Sequence, residues 1–406
     1  MMAARWRLVL AALLLAVLGY AGARPLGSIP ALGGLLDPAN GIWALARSAQ
    51  LPARASGRVA GLSAPVRVIT DDRAVPHVFA ATEEDAWRAQ GYLVARDRLF
   101  QMEIQRRATA GTLSELFGAR LLGADRTARR RGLAWAAERS FARLDPASLI
   151  ARAARAYADG VNAWIAEMPR SALPIEYRLL GRRPARWEAG HTFYLFAQMA
   201  LTLAYGDETF TRLSARGLVG DAAAEALFPL NSPIQEPIQP DGRAEPRFDF
   251  GRIPPPGAPD TVALVAAREH AALDLALGLQ PARPGSGDAI GSNNWAVAPG
   301  RTAAGFALLA GDPHLELSLP SIWYEIHLHV EGGPDVAGVT FAGSPGVIIG
   351  FNRNVAWSFT NTGADVRDHF AETVDDDAHP SKYRVDGNWK PVERRIETFH
   401  GPSGAV

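Results

Sequence analysis

The stretch GDAIGSNNWAVAPGRT (Gly287–Thr302) places a Gly-Ser step, Gly291-Ser292, directly before a run in which apolar residues begin to alternate. Its local chemistry is compatible with two readings. Gly-Ser steps are common in loops, so the residues can be a flexible lead into a strand. Alternatively, if the bond before Ser292 were cut, one residue would carry both a hydroxyl and a new α-amine. Such an amine has a reference pKa of about 7.7 to 8.0, so it is substantially neutral near physiological pH and can act as the base for its own hydroxyl. Glycine at 291 suits the strained backbone that internal attack at that bond would require.

Downstream of Ser292 the texture is that of strands: NWAVAP, GFALLAG, SIWYEIHLHV, VAGVTFAG, PGVIIGF and NVAWSFTN. In WYEIHLHV, Glu325, His327 and His329 alternate onto one face, a spacing that could imitate a zinc cluster. The same period-two polarity arises on any half-exposed strand, and that is the expected reading. No Gly-x-Ser-x-Gly elbow occurs, and FAGSPG around Ser344 does not fit it.

Upstream the chain reads as helical. PVRVITDDRAVPHVFAAT (Pro65–Thr82) predicts a hairpin broken at Asp71-Asp72. Thr82 and Asp85 then form a capping-box-like start to the helix EEDAWRAQGYLVARDRLFQMEIQRRATA. Asp97 lies on the apolar stripe of this helix, where an unpaired carboxylate is costly; a structural ion pair with Arg96, Arg98 or a distant arginine is expected. Helical patterns continue in LIARAARAYADGVNAWIAEM and HTFYLFAQMALTLAYGDETFTRL. Prolines from Pro229 to Asp260 are too dense for helix or central strand, and TVALVAAREHAALDLALGL is helical again.

Composition narrows the class. The 406 residues carry 42 basic and 42 acidic side chains, so no net positive field argues for nucleic acid. The run RTARRRG (Arg126–Gly132) lacks interleaved aromatics and reads as a solvated helix face. There are no cysteines, which removes disulfides, thiolate catalysis and cysteine-bound zinc. At the N-terminus, Arg5 and Arg7 precede an apolar run from Leu8 to Leu18, and Ala21-Gly22-Ala23 has the form of a signal-peptidase site. Cleavage after Ala23 and an uncleaved N-terminal anchor both place the body outside the cytoplasm, periplasmic or secreted.

The segments GSNNWAVAPGRTAAGFALLAGDPHLEL, SIWYEIHLH and GSPGVIIGFNRNVAWSFTNTGADVRDHFAE resemble the start of the β chain in the penicillin acylase (penicillin amidase) family of N-terminal-nucleophile hydrolases. DAWRAQGYLVARDRLFQMEIQRRATAGTLSELFG resembles that family's α chain, and the matches run in order from about Pro65 to Glu372. The resemblance implies an α+β chain folded as a four-layer αββα sandwich with a largely helical α-chain region. Its expected parts are a signal peptide or anchor (1–23), the α-chain region (24–240), a spacer (241–291) and the N-terminal part of the β chain (292–406). Family chains continue well past this point, so the resemblance implies a β portion that is incomplete here. The second oxyanion donor, an asparagine side chain, would lie beyond Val406.

The same resemblance supplies roles for residues. Ser292 would be the nucleophile, released by self-cleavage at Gly291-Ser292. Asn361 would give half of the oxyanion hole through its backbone N–H, and His314 would orient or polarise Ser292. Leu315 and Ile349 match substrate-pocket positions and are apolar, which suits an aliphatic or aryl acyl group. A structural calcium is implied, with Asp365 and Asp368 as carboxylate ligands, Arg367 through its carbonyl, and Glu208 from the α-chain region; hard oxygen donors suit that ion. A solvated loop is the alternative for Asp365 and Asp368. No organic cofactor is implied. The expected activity is hydrolysis of a linear, small-molecule amide, with two alternatives: an acyl-homoserine lactone acylase of the same class, and a non-catalytic envelope binding module on the same scaffold.

Overall fold

A computed structural model describes residues 2–24, 31–37, 41–48, 54–204, 207–229, 254–277, 292–315, 317–361, 366, 370, 372–401 and 404–405. The chain is α+β and divides into two compact units. One comprises Met1–Gln198, Ile290–Thr360 and Phe399–Val406; the other comprises Met199–Ala289 and Asn361–Thr398.

The first unit starts with α1 (Met2–Gly22) and the short α2 (Ile42–Ser48). Among the described residues, no helix is long and apolar enough to cross a membrane. The expected hairpin is β1 (Arg67–Thr70) and β2 (Pro76–Ala80), paired antiparallel. Its turn is organised by Asp71 Oδ1, which accepts from the N–H groups of Val75 (2.8 Å) and Arg73 (3.0 Å).

Next comes α3 (Glu83–Ala110), whose limits follow from its caps. Thr82 Oγ1 accepts from Asp85 N–H at 3.2 Å, and Gly111 closes the helix with φ +64°. The capping box is only half made. The Asp85 carboxylate turns away from the helix start to accept from the N–H and Oγ–H of Ser63, which holds the preceding loop. Asp97 is paired as expected: Arg96 Nε donates to it at 2.7 Å and the Tyr324 hydroxyl at 2.8 Å.

The helical region continues with α4 (Ser114–Phe117), α5 (Leu122–Arg131), α6 (Leu133–Ala142), α7 (Leu149–Glu167), α8 (Ile175–Leu180) and α9 (His191–Thr202). Fully buried Asp125 of α5 accepts from the N–H groups of Leu113 and Ser114, so a carboxylate from the neighbouring helix serves the start of α4. The Arg126–Arg131 run is solvated only in part. The guanidinium of Arg129 lies 4.4 Å from the ring centroid of Phe399, and its Nε donates to Gly111 O at 3.0 Å.

Beyond position 291 the first unit contains β3 (Ser292–Val297), β4 (Leu308–Pro313), β5 (Trp323–Val330), β6 (Asp335–Phe341), β7 (Ile349–Asn352) and β8 (Ala356–Trp357). β3 and β4 form a hairpin of their own. The larger sheet has the order β1-β2-β5-β6-β7-β8, antiparallel except for the parallel β2–β5 pair. Along β5 the residues Tyr324, Ile326, Leu328 and Val330 are buried, whereas Trp323, Glu325, His327 and His329 retain exposure. Tyr324, Ile326 and Leu328 of that face join Leu93, Val94 and Met102 of α3 and Tyr157 and Val161 of α7 in one core, and Val330 packs with Ala80 and Ala86. Where α3 and α7 cross, a Cβ on Gly91 would fall inside contact distance of Tyr157 O, and one on Gly160 inside that of Arg88 O.

The second unit holds α10 (Asp207–Val219), α11 (Asp221–Leu227), α12 (Thr261–Leu277) and a sheet of β9 (Thr373–Val374), β10 (Lys382–Val385) and β11 (Asn388–Pro391). The helical stretch expected from His191 onward is thus two helices, α9 and α10. At the end of the chain, β12 (His400–Gly401) and β13 (Gly404–Ala405) belong to the first unit, where Ser114 Oγ donates to His400 O at 3.1 Å.

The start of α9 carries a pH-dependent element. His191 packs edge-on against Trp187, and its Nδ1 accepts from Glu188 N–H at 3.0 Å. Burial, with a smaller contribution from Arg106, pushes its pKa down to about 3 from the usual 6.5. The native ring is therefore neutral while the unfolded ring takes a proton below about pH 6.5, so this contribution is present above 6.5 and is lost as pH falls towards 3. Denaturant midpoints followed by circular dichroism should decline across that window in the wild type. A His191→Asn variant, which keeps an acceptor but does not titrate, should show a shallower decline, and parallel curves would remove His191 as the cause.

Candidate functional site

The β3–β4 hairpin sets the surroundings of Ser292. Its register pairs Ser292 with Pro313, Asn293 with Asp312 and Asn294 with Gly311. Directly opposed residues share a face, so Ser292 lies on the Pro313 side and Asp312 on the other. Ser292 is half-buried and is the first residue of its strand, as its position before the alternating run predicts.

His314 follows the last residue of β4, and its Nε2 lies 2.8 Å from Asp312 Oδ2. The imidazole is thereby held by a carboxylate on the same strand face, which orients the ring. Sequence reasoning missed this partner, although Asp312-Pro313-His314 has the i, i+2 spacing that puts two side chains on one face. Leu315 is the next residue and is half-buried; Ile349 opens β7, paired with Val339 in the larger sheet.

A second connection runs between the hairpin and the larger sheet. Trp357 Nε1 donates to Ile348 O at 2.7 Å. The next residue, Ser358, packs its hydroxyl against Gly311 where a Cβ would collide, beside Asn294 Oδ1. The structure thus puts Ser292 at one end of the β3–β4 hairpin and His314 and Leu315 just after its other strand, with His314 drawn to the face opposite Ser292, and ties the hairpin to the strand that Ile349 begins.

Asn361 lies in the second unit, where its Nδ2 donates to Leu203 O at 2.8 Å. Glu208 is part of α10, but its side chain lies outside the described residues, as do Asp365, Arg367 and Asp368. Gly291 lies outside them too. Among the described residues no group of three or more His, Asp or Glu side chains could hold a metal ion.

The polar face of β5 is a network of ion pairs and hydrogen bonds. Arg73 reaches Glu325 at 2.9 Å, His327 Nε2 and His329 Nδ1 lie 2.7 and 3.3 Å from Asp335 Oδ1, and Arg353 Nε donates to Asp335 Oδ2 at 3.0 Å. His77 Nδ1 meets His327 Nδ1 at 3.0 Å across the parallel pair. The hydrogen bond from His327, opposed by burial and joined by those from Arg353 and His329, holds the Asp335 carboxyl down at about 2. Glu325, His327 and His329 thus belong to a half-exposed polar face, as the alternation predicted.

Comparison with known proteins points in one direction. Residues 65–404 match the sequence model of a family described as penicillin amidase. A penicillin acylase 2 proenzyme of Pseudomonas sp. (strain SE83) is 34% identical over 86% of this chain and 45% of its own length. An acyl-homoserine lactone acylase, QuiP, of Pseudomonas aeruginosa is 33% identical over 84% of this chain and 38% of its own. A solved thermostable penicillin G acylase from Alcaligenes faecalis aligns at 28% identity and a TM-score of 0.36, over 45% of this chain and 98% of that one, an overlap too partial to carry an argument about fold. The chain spans less than half the length of these two curated relatives.

Proposed function

Because this chain belongs to the penicillin amidase family, we propose that it is part of a self-processing amidohydrolase whose nucleophile is Ser292. The observation that carries the reading is the position of Ser292. It follows Gly291 in sequence and is the first residue of β3, so a cut before it would free an amine at the end of a paired strand rather than within a loose loop. The name of the Pseudomonas relative, a proenzyme, supports processing of this kind.

The chemistry follows from that new terminus. The Ser292 hydroxyl oxygen attacks the amide carbon while its proton passes to the neutral α-amine. The amine returns the proton to the leaving nitrogen as the carbon–nitrogen bond breaks, leaving an acyl ester on Ser292. Water, deprotonated by the same amine, then cleaves the ester and regenerates the hydroxyl. The backbone N–H of Asn361 would stabilise the tetrahedral oxyanion, a contact worth about 3 to 4 kcal/mol. Asp312 holds His314 on the strand face opposite Ser292, so to orient the serine the imidazole would have to leave that carboxylate. The four-layer αββα arrangement, export through the N-terminal segment, and division into α chain, spacer and β chain belong to the same reading.

Leu315 and Ile349 favour an apolar acyl group. Similarity to an acyl-homoserine lactone acylase supports a second substrate reading, a fatty acyl chain on a homoserine lactone. Hydrolysis rates with aryl-acetyl and long-chain N-acyl amides decide between the two. N-terminal sequencing of the purified protein tests the reading as a whole: a terminus of Ser292-Asn293-Asn294-Trp295 is expected, and an uncut chain without amidase activity overturns it.

Calcium would be held by Asp365, Asp368, the carbonyl of Arg367 and Glu208. That set of hard oxygen donors fits the ion by its chemistry, and the bound ion would tie separate segments together. An Asp365→Asn variant is expected to lose bound calcium on elemental analysis and to melt at a lower temperature. Equal metal content in variant and wild type would exclude the assignment.

A further inference from the structure

We propose that Gln90, in the middle of α3, is a positioning residue for the site around Ser292, acting through the loop between β6 and β7. The proposal rests on the reading of Ser292 as nucleophile. Gln90 is fully buried and uses both ends of its amide on one residue of that loop. Gly346 N–H donates to Gln90 Oε1 at 2.7 Å, and Gln90 Nε2 donates to Gly346 O at 2.9 Å. Gly346 has φ +80°, a conformation with little intrinsic preference for a single state, so the two-point contact selects one.

The clamp leads to the hairpin by short steps. Two residues after Gly346, Ile348 N–H donates to Val339 O, and Ile348 O accepts the indole N–H of Trp357. Trp357 places Ser358 against Gly311, which is paired with Asn294 two residues from Ser292. Each link is a hydrogen bond, a strand pairing, a step of one or two residues or a contact at a glycine, so little slack accumulates along the path. The amide of Gln90 therefore sets the relative position of the hairpin and the start of β7. These are the two elements that carry Ser292 and Ile349. A displacement of about 1 Å between reacting groups can reduce rate about a hundredfold, so a contact distant from the chemistry can still govern it.

The test uses the mature protein and a series of N-acyl p-nitroanilides. Gln90→Met keeps the volume and removes both hydrogen bonds; Gln90→Glu keeps the acceptor for Gly346 N–H. Gln90→Met is expected to lower kcat roughly ten- to a hundredfold with a smaller change in KM, and Gln90→Glu to fall between it and wild type. A Val78→Ala variant, in the same core but outside the path, supplies a control for general destabilisation. If Gln90→Met loses no more kcat than Val78→Ala after correction for thermal stability, Gln90 is only structural and the proposal is overturned. Should Gln90→Met fail to fold, Trp357→Phe breaks the path at its indole, and an unchanged kcat there overturns the proposal equally. A readout without turnover separates this from the reading beneath it. Amide exchange should rise in both 342–348 and 292–297 for Gln90→Met, or for Trp357→Phe in its place, but not for Val78→Ala. Exchange confined to the loop would sink the proposal even if Ser292 proves to be the nucleophile. A wild-type protein that neither cuts itself nor hydrolyses amides would sink the nucleophile reading instead.

Discussion

Ser292→Ala is expected to leave the chain uncut at Gly291-Ser292 and to lower amide hydrolysis by roughly a thousandfold or more, because the substitution removes the attacking oxygen for both reactions. Denaturing electrophoresis should show two fragments for wild type and one full-length band for the variant. Circular dichroism should show that both are folded, since Ser292 is only half-buried and alanine is compatible with the strand it begins. A host protease would cut the alanine variant as readily as wild type, so a cut variant points to external processing. Ser292→Cys sharpens the distinction: it keeps a nucleophile on the same residue, so cleavage can continue while turnover falls. An alanine variant with undiminished amidase activity would remove Ser292 from the mechanism altogether.

Gly160→Ala is expected to destabilise the protein by roughly 2 kcal/mol or more, although alanine is the better helix former. The helix gains up to about 1 kcal/mol from the substitution, but the new methyl meets the backbone carbonyl of Arg88, which cannot yield without moving α3. The helices must separate, and the burial of Tyr157, Val161, Leu93 and Val94 between them is loosened. A fall in melting temperature of about 3 to 5 °C is the expected scale for a unit of this size. Gly91→Ala should behave alike, since its methyl meets Tyr157 O across the same crossing. The double variant should cost less than the sum, because the helices need to separate only once. Gly123→Ala is the control: it sits in α5 with open space around it and should be neutral or slightly stabilising. If all three single variants melt together, the close approach does not limit stability.

What could be read from the residues alone depended on whether the cause was local. The limits of α3 were legible because Thr82 and the glycine at 111 are chemical punctuation, and the polar face of β5 was legible because alternation is a two-residue rule. The half-made capping box was not, because the group that diverts Asp85 is Ser63, in the preceding loop. The crossing of α3 and α7 was equally hidden: Gly91 and Gly160 look like ordinary weak points in two helices until the fold brings them together. His77 and His327 meet through a parallel strand pair spanning 250 positions, a separation that no periodicity reports. At the site, Ser292 and His314 were legible as motif positions. Their shared hairpin came from register, which depends on tertiary packing, whereas the Asp312 contact is a local i, i+2 pair whose signal was present and passed over.

The parallel pairing of β2 with β5 has a consequence for what a cut at Gly291-Ser292 would do. β2 lies before that bond and β5 after it, and both sides contribute side chains to one apolar core. Severing the chain there would change the molecularity of unfolding without dividing the folded object. An uncut chain unfolds as a first-order event, whereas the cut protein could release two separate polypeptides and would refold only by a bimolecular encounter. Processing would thus convert a self-contained folding unit into an obligate pair whose persistence depends on never fully opening.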